Sequence, residues 1–168
     1  MTVKKFVAAA IVGGLALMTS PSQVLAETTG TQRFTVLIPA DGPGTVIATG
    51  VVTGVGSEVD TREQVPPGSP FQATYTFREG QLFATVAAAG RPQVEFNPRS
   101  CVTTITLVDT ATITGGTGAF EGATGSSTDT VRVTSVAGRG SDGRCLGPEH
   151  PPIFELGIIR SDGTLTLP

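Results

Sequence analysis

The stretch Thr112–Gly125, TITGGTGAFEGATG, has the look of a phosphate-binding glycine loop. Such loops work when they follow a strand and open a helix, because the helix N-terminus then presents aligned N–H groups to the anion. After Phe120 the chain continues Glu121-Gly122-Ala123-Thr124-Gly125-Ser126-Ser127-Thr128, which is poor helix-forming sequence. Gly116, Gly118 and Gly122 are spaced G-x-G-x-x-x-G, and no Lys follows as a Walker loop requires. The loop therefore holds no dinucleotide, and no cofactor is expected. Gly115, Gly116, Gly118, Gly122 and Gly125 instead permit tight turning and close strand approach, with Phe120 plugging apolar space beside them.

Other residues could do chemistry. Glu58 and Asp60 alternate in GVGSEVD, a spacing that serves acid–base work if both are buried. Acids are rarely buried, so a solvated loop pair is the plainer reading. Tyr75, the single tyrosine, lies on the apolar face of its segment and reads as a core residue with a bonded hydroxyl. Asp109 and Arg132 are strand-borne charges, read as partners in a surface ladder rather than across an interior. His150, the single histidine, could act as a base, but no Ser or Cys nucleophile stands beside it in a recognisable motif. Cys101 and Cys145 are the two cysteines, and with only His150 as a third soft ligand a metal site is not expected.

The N-terminus bears on the redox setting of that cysteine pair. Lys4 and Lys5 precede an apolar run, Phe6–Met18, and a polar stretch ending Val24-Leu25-Ala26. This is the layout of a secretory signal peptide cleaved near Ala26, and the run is too short to span a bilayer. The expectation is a signal peptide over residues 1–26, a single domain over residues 27–168, and a secreted, extracellular or periplasmic product with no membrane anchor. In such a compartment two cysteines most simply form one disulfide, Cys101–Cys145, worth about 4 kcal/mol on the chain-entropy argument. Beyond residue 26, nine arginines face fourteen acids, a formal charge of −5. An acidic chain without a basic cluster is a poor partner for nucleic acid or anionic lipid.

The elements that would position these residues are strands. No helix-period window follows Ala26. Arg33–Ile38 is β-branched and stops at Pro39, and Thr45–Val55 forms a long strand that Gly50 and Gly54 could bend. Gly56–Pro70 is polar and reads as a surface loop. Phe71, Ala73, Tyr75 and Phe77 alternate with Gln72, Thr74 and Thr76, and a turn at Arg78-Glu79-Gly80 leads into Gln81–Val86. Val102–Thr114 and Asp129–Val136 are strands by composition, and Gly138–Pro152 is a long loop held at Cys145. Phe154–Arg160 and Thr164–Leu167 form a second hairpin about Ser161-Asp162-Gly163. Eight or nine short strands without helices make an all-β domain, an antiparallel barrel or sandwich.

The segment Ile113–Gly125, ITGGTGAFEGATG, with the leading Val108-Asp109-Thr110-Ala111-Thr112, resembles the glycine motif of the allene oxide cyclase and dirigent superfamily. The resemblance implies a single antiparallel β-barrel of about eight strands, lipocalin-like in shape, with a cavity. It does not carry either plant activity over. The first strand, RFTVLIPADG, has no Glu or Asn where the cyclases keep catalytic polar groups, and the acids and Arg of the dirigent cavity find no aligned positions. The expected role is binding of a small apolar molecule inside the barrel, lined by Phe71, Tyr75, Phe77 and Phe83, with Glu58, Asp60 and His150 as candidate polar groups. The alternatives are a structural protein with a filled barrel, and a cyclase- or isomerase-type enzyme.

Overall fold

A computed structural model describes residues 27–168. The expected signal segment, residues 1–26, lies outside the described residues. Nine strands follow in order: β1 (Thr28–Pro39), β2 (Gly44–Gly50), β3 (Gly54–Asp60), β4 (Phe71–Phe77), β5 (Gly80–Ala88), β6 (Gln93–Asn97), β7 (Val102–Gly116), β8 (Thr124–Val136) and β9 (Phe154–Leu167). Two single 3-10 turns, Arg62–Gln64 and Gly118–Phe120, are the helical elements among the described residues. The pairing order β5-β4-β3-β2-β1-β9-β8-β7 is antiparallel throughout, and β5 pairs again with β7, so eight strands close into a barrel. Strand β6 stays outside it, paired with the first residues of β7.

Closure rests on the glycine segment. Its leading strand, β7, runs along β5 from Ala88↔Asp109 to Leu82↔Gly116, with a bulge between Phe83 and Ala84. Gly118 then turns the chain at φ +62°, where a Cβ would lie 2.4 Å from the Glu79 carbonyl oxygen. The 3-10 turn delivers Phe120 into the barrel end, edge-on to Phe77 at 5.9 Å between ring centres. The segment is thus a corner of the sheet and its plug, as its composition suggests.

Period-2 alternation decides what faces inward. Phe34 and Val36 of β1, Val46 and Ala48 of β2, Phe71 to Phe77 on alternate positions of β4, Leu82, Ala84 and Val86 of β5, Ala111 and Ile113 of β7, and Val131 and Ile159 of β8 and β9 form one buried core.

Three expectations are corrected. The long strand over Thr45–Val55 is two strands, because Gly50 (φ +126°) and Gly54 (φ +153°) let the ribbon fold back on itself. The second of them, β3, occupies the polar stretch expected to be loop. Ser161-Asp162-Gly163 is no turn: β9 runs unbroken, paired with β1 on one side and β8 on the other. Gly163 is required there by close approach, since a Cβ would sit 2.0 Å from the Ser126 carbonyl oxygen.

Candidate functional site: the open end of the barrel

The end of the barrel opposite Phe120 is built from polar side chains. Glu58 on β3 stands between Gly44 of β2 and Tyr75 of β4. Alternation turns Glu58 inward with Gly56 and Asp60, and it is 4% exposed. Asp109 of β7 and Asp129 of β8 are direct cross-strand neighbours, both facing inward and each 3% exposed. Like charges placed opposite one another destabilise a ladder, so this pair is maintained against a local cost. Asp129 accepts a hydrogen bond from Ser127 Oγ at 2.8 Å, and Ser161 Oγ donates to Ser127 Oγ at 2.8 Å. Glu58 and Asp109 have no side-chain hydrogen bond or ion pair with another described residue.

Arg62, in the turn after β3, closes over this cluster. Its guanidinium carbon lies 4.5 Å above the Phe71 ring, and Nη2 is 3.6 Å from Asp60 Oδ2. Asp60 also accepts a hydrogen bond from the Arg62 backbone N–H at 2.9 Å, which ties the turn to the strand end. The buried Arg62 Nε has no acceptor among the described residues. Tyr75 stacks on Phe34 at 5.2 Å, nearly parallel.

Burial dominates the electrostatics. Glu58 is pushed up to about 7 by burial, with Asp60 adding to the rise and Arg62 opposing it. Burial also raises Asp109, Arg62 partly offsetting this and Asp129 adding to it. The Tyr75 phenol is driven well above its ordinary value by burial and then by Asp129, Glu58 and Asp60. Near pH 7 the Glu58 carboxyl is therefore divided between its two forms, and the Tyr75 phenol is neutral.

Space is distributed unevenly. The void enclosed by Glu58, Arg62, Tyr75, Asp109 and Asp129 measures about 10 Å³, and a second one beside Gln32 and Phe34 is the same size. Each is at most the room of one water molecule. Neither void inside the barrel has room for a small organic molecule.

Two open clefts lie beyond the rim. One, of about 870 Å³, lies over the mouth between the Ile38–Gly44 turn, the Glu58–Gln64 segment and the inward faces of Val131 and Val133. The other, of about 860 Å³, lies where β6 to β9 run on past the barrel. Its floor is the continuation of the inward-facing surface: Phe96 pairs with Thr103, Thr103 with Ser135, and Ser135 with Glu155. Its roof is the loop after β8, which carries Leu146, His150 and Pro152. The Cys101–Cys145 disulfide pins that loop. Val133 and Glu155 border both clefts, so the two adjoin there.

The predicted site residues separate accordingly. Phe71, Tyr75 and Glu58 converge at the mouth, with Asp60 at its rim. Glu58 is no solvated loop acid, because β3 is a strand. Phe77 belongs to the plugged end with Phe120. Phe83 is a correction: it lies between the buried Leu82 and Ala84, pairs with Thr74 and Gly115, and points outward. His150 decorates the groove roof, its side chain 51% exposed and Nε2 3.7 Å from Glu149 Oε1. Asp109 and Arg132 do not form a surface ladder: Asp109 is inside, and Arg132 faces out opposite Thr106.

Asp129 and Arg62 were not singled out by sequence reasoning. For Asp129 a signal existed, since Asp129, Val131 and Val133 share one face at period 2. For Arg62 there was none, because a loop arginine's direction is set by the strands it folds against. Among the described residues no group of three or more His, Cys, Asp or Glu side chains could hold a metal ion.

Fold and site together define a closed eight-stranded antiparallel barrel, plugged at one end and carboxylate-lined at the other, with one external strand. Comparison of the chain with family models, with curated proteins and with solved structures finds no match. The disulfide is compatible with an extracellular or periplasmic location.

Proposed function

We propose that this is an exported binding protein whose ligand, a small and largely apolar molecule, sits over the open end of the barrel rather than within it. The observation that carries the reading is the pair of adjoining clefts at the open end, the mouth cleft and the groove beyond it, which share Val133 and Glu155 as lining. Each cleft is of the size that small-molecule sites occupy, and the groove combines an apolar lining with a few convergent polar groups. The likeness of the glycine segment to the allene oxide cyclase and dirigent barrels is in keeping with such a role, though neither activity is proposed for this chain.

A filled structural barrel is the second reading, favoured by interior voids of only about 10 Å³. Native mass spectrometry of protein purified from its own culture medium separates the two. The binding reading expects a co-purifying small molecule, lost when Ile105→Glu places a charge on the groove floor. Repeated absence of any adduct, together with no thermal shift across a panel of apolar compounds, leaves the structural reading standing.

A further inference from the structure

We propose that the ligand is a cationic amphiphile, its ammonium or guanidinium head over the carboxylates of the barrel mouth and its apolar body in the adjoining groove. This rests on the binding reading above and adds the chemistry of the ligand. Acidic side chains at the mouth cleft are Asp41, Glu58, Asp60, Glu63 and Glu155, and among the described residues the one basic residue lining it is Arg62. Arg62 is already engaged by Asp60 and the Phe71 ring. A cleft lined by one sign of charge with low-dielectric walls concentrates ions of the opposite sign.

An independent observation marks where the head would sit. Glu58 is 4% exposed, has no hydrogen-bond or ion-pair partner among the described residues, and borders both the mouth cleft and the small void beneath it. Its carboxylate opens on the cleft rather than on a protein donor, so a cation seated there would complement it without displacing an existing partner. A metal ion is the poorer complement, since no third ligand of suitable type converges on it among the described residues.

The body of the ligand follows from the groove. Phe96, Ile105, Val133, Leu146 and Pro152 line it, and its one arginine, Arg144, is 88% exposed and turned to Asp142. From Val131 at the mouth to Ala137 at the far end of the groove is six strand steps, about 20 Å at ~3.3 Å per residue. A head over Glu58 and a chain of that reach fill both clefts together. Anionic amphiphiles, fatty acids included, meet the wrong sign of charge at the mouth.

The test is calorimetric titration of residues 27–168 with decyltrimethylammonium, decanol, decanoate and tetramethylammonium, each below its micelle concentration. Decyltrimethylammonium is expected to bind at least about ten-fold more tightly than decanol, with decanoate weaker than decanol and tetramethylammonium weakest. Glu58→Gln should remove most of that preference by weakening the cation far more than decanol. A second readout follows protons. The quaternary head cannot titrate, so its binding near pH 7 should release protons as Glu58 ionises, measured by repeating the titration in buffers of different ionisation enthalpy. Asp60, Arg62, Tyr75, Asp109 and Asp129 also face Glu58, so the same measurement on Glu58→Gln, where the release should vanish, assigns the proton.

Equal binding of the cation and the alcohol overturns the inference while leaving the groove as a binding site. Preference for the cation with no proton release and no response to Glu58→Gln places the charge effect elsewhere and also overturns it. Failure of every decyl compound to bind overturns both the inference and the binding reading.

Discussion

At the end of the barrel where β7 hands over to β8, Phe120 meets Phe77 and the backbone turns too tightly for any side chain at Gly118. At the other end, Glu58, Asp109 and Asp129 point into the same enclosed space, with Arg62 laid across it. The same eight strands make both ends, and the same alternation sends side chains inward at each. What differs is the kind of residue at the inward positions. The plugged end gains apolar burial and contact without electrostatic penalty. The open end buries acids, one pair directly opposed, and leaves Glu58 without a side-chain partner among the described residues. Stability is concentrated at one end, and chemical potential at the other. In natural proteins, departures from the rules of good packing tend to mark sites of function.

That contrast can be broken by experiment, beginning at the plugged end. Phe120→Ala should cost about 3–5 kcal/mol, as removal of a buried aromatic does, read from the urea midpoint. Gly118→Val should be at least as damaging, because the φ of +62° and the 2.4 Å approach to the Glu79 carbonyl oxygen act together. Unchanged stability in both variants would remove the glycine segment from the closure of the barrel.

Removing the disulfide by Cys101→Ser with Cys145→Ser tests the other side of the comparison. The bond spans 44 residues, and its loss should cost about 4 kcal/mol on the chain-entropy model. Hydrogen exchange should show where the loss falls. Amides around the groove roof, such as Leu146 N, which donates to Gly138 O, should lose protection before those of the β5–β7 seam. Uniform loss across both would mean that the ends are not independent.

The acid end has its own signature in pH. In the unfolded chain Glu58 titrates near 4.5, and in the fold at about 7. Between those values the folded state binds more proton, so stability falls as pH rises through the window, and the full penalty is present above about 7. The effect is no more than about 3.5 kcal/mol, because each tenfold change in proton affinity is worth ~1.4 kcal/mol, and water in the mouth cleft screens part of it. Asp109 contributes in the same direction. Urea midpoints should therefore increase on acidification from pH 8 to pH 5, and Glu58→Gln should flatten most of that slope. A midpoint that climbs with pH over this interval would contradict the burial of Glu58. His150→Ala is the smallest perturbation, within about 0.5 kcal/mol as for other exposed positions, since the ring is half exposed on the groove roof.

Much of the fold could be read from the chain. The clean alternation of Phe71, Ala73, Tyr75 and Phe77 identified β4 and its inner face, and Arg78-Glu79-Gly80 located the hairpin that follows. The acid end could not be read in the same way. GVGSEVD looks like loop because it is polar and glycine-containing, yet β2 and β4 flank it and turn it into a strand. Ser161-Asp162-Gly163 looks like a turn for the same reason, and two neighbouring strands hold it extended. In both places hydrogen-bond partners distant in sequence override a local preference. Phe83 shows the converse: its hydrophobicity suggests the interior, while the pleat places it outside.

By itself the sequence determined the all-β class, the cysteine pair and the corner at the glycine segment, because strand periodicity, cysteine number and glycine spacing are local properties. It also determined which residues share a face wherever alternation is unbroken. Only the tertiary structure decided that neither void inside the barrel has room for a small organic molecule, that Glu58, Asp109 and Asp129 meet in one place, and that the free space lies beyond the rim. Those outcomes depend on barrel closure and on the register between strands far apart in the chain, which no local pattern encodes.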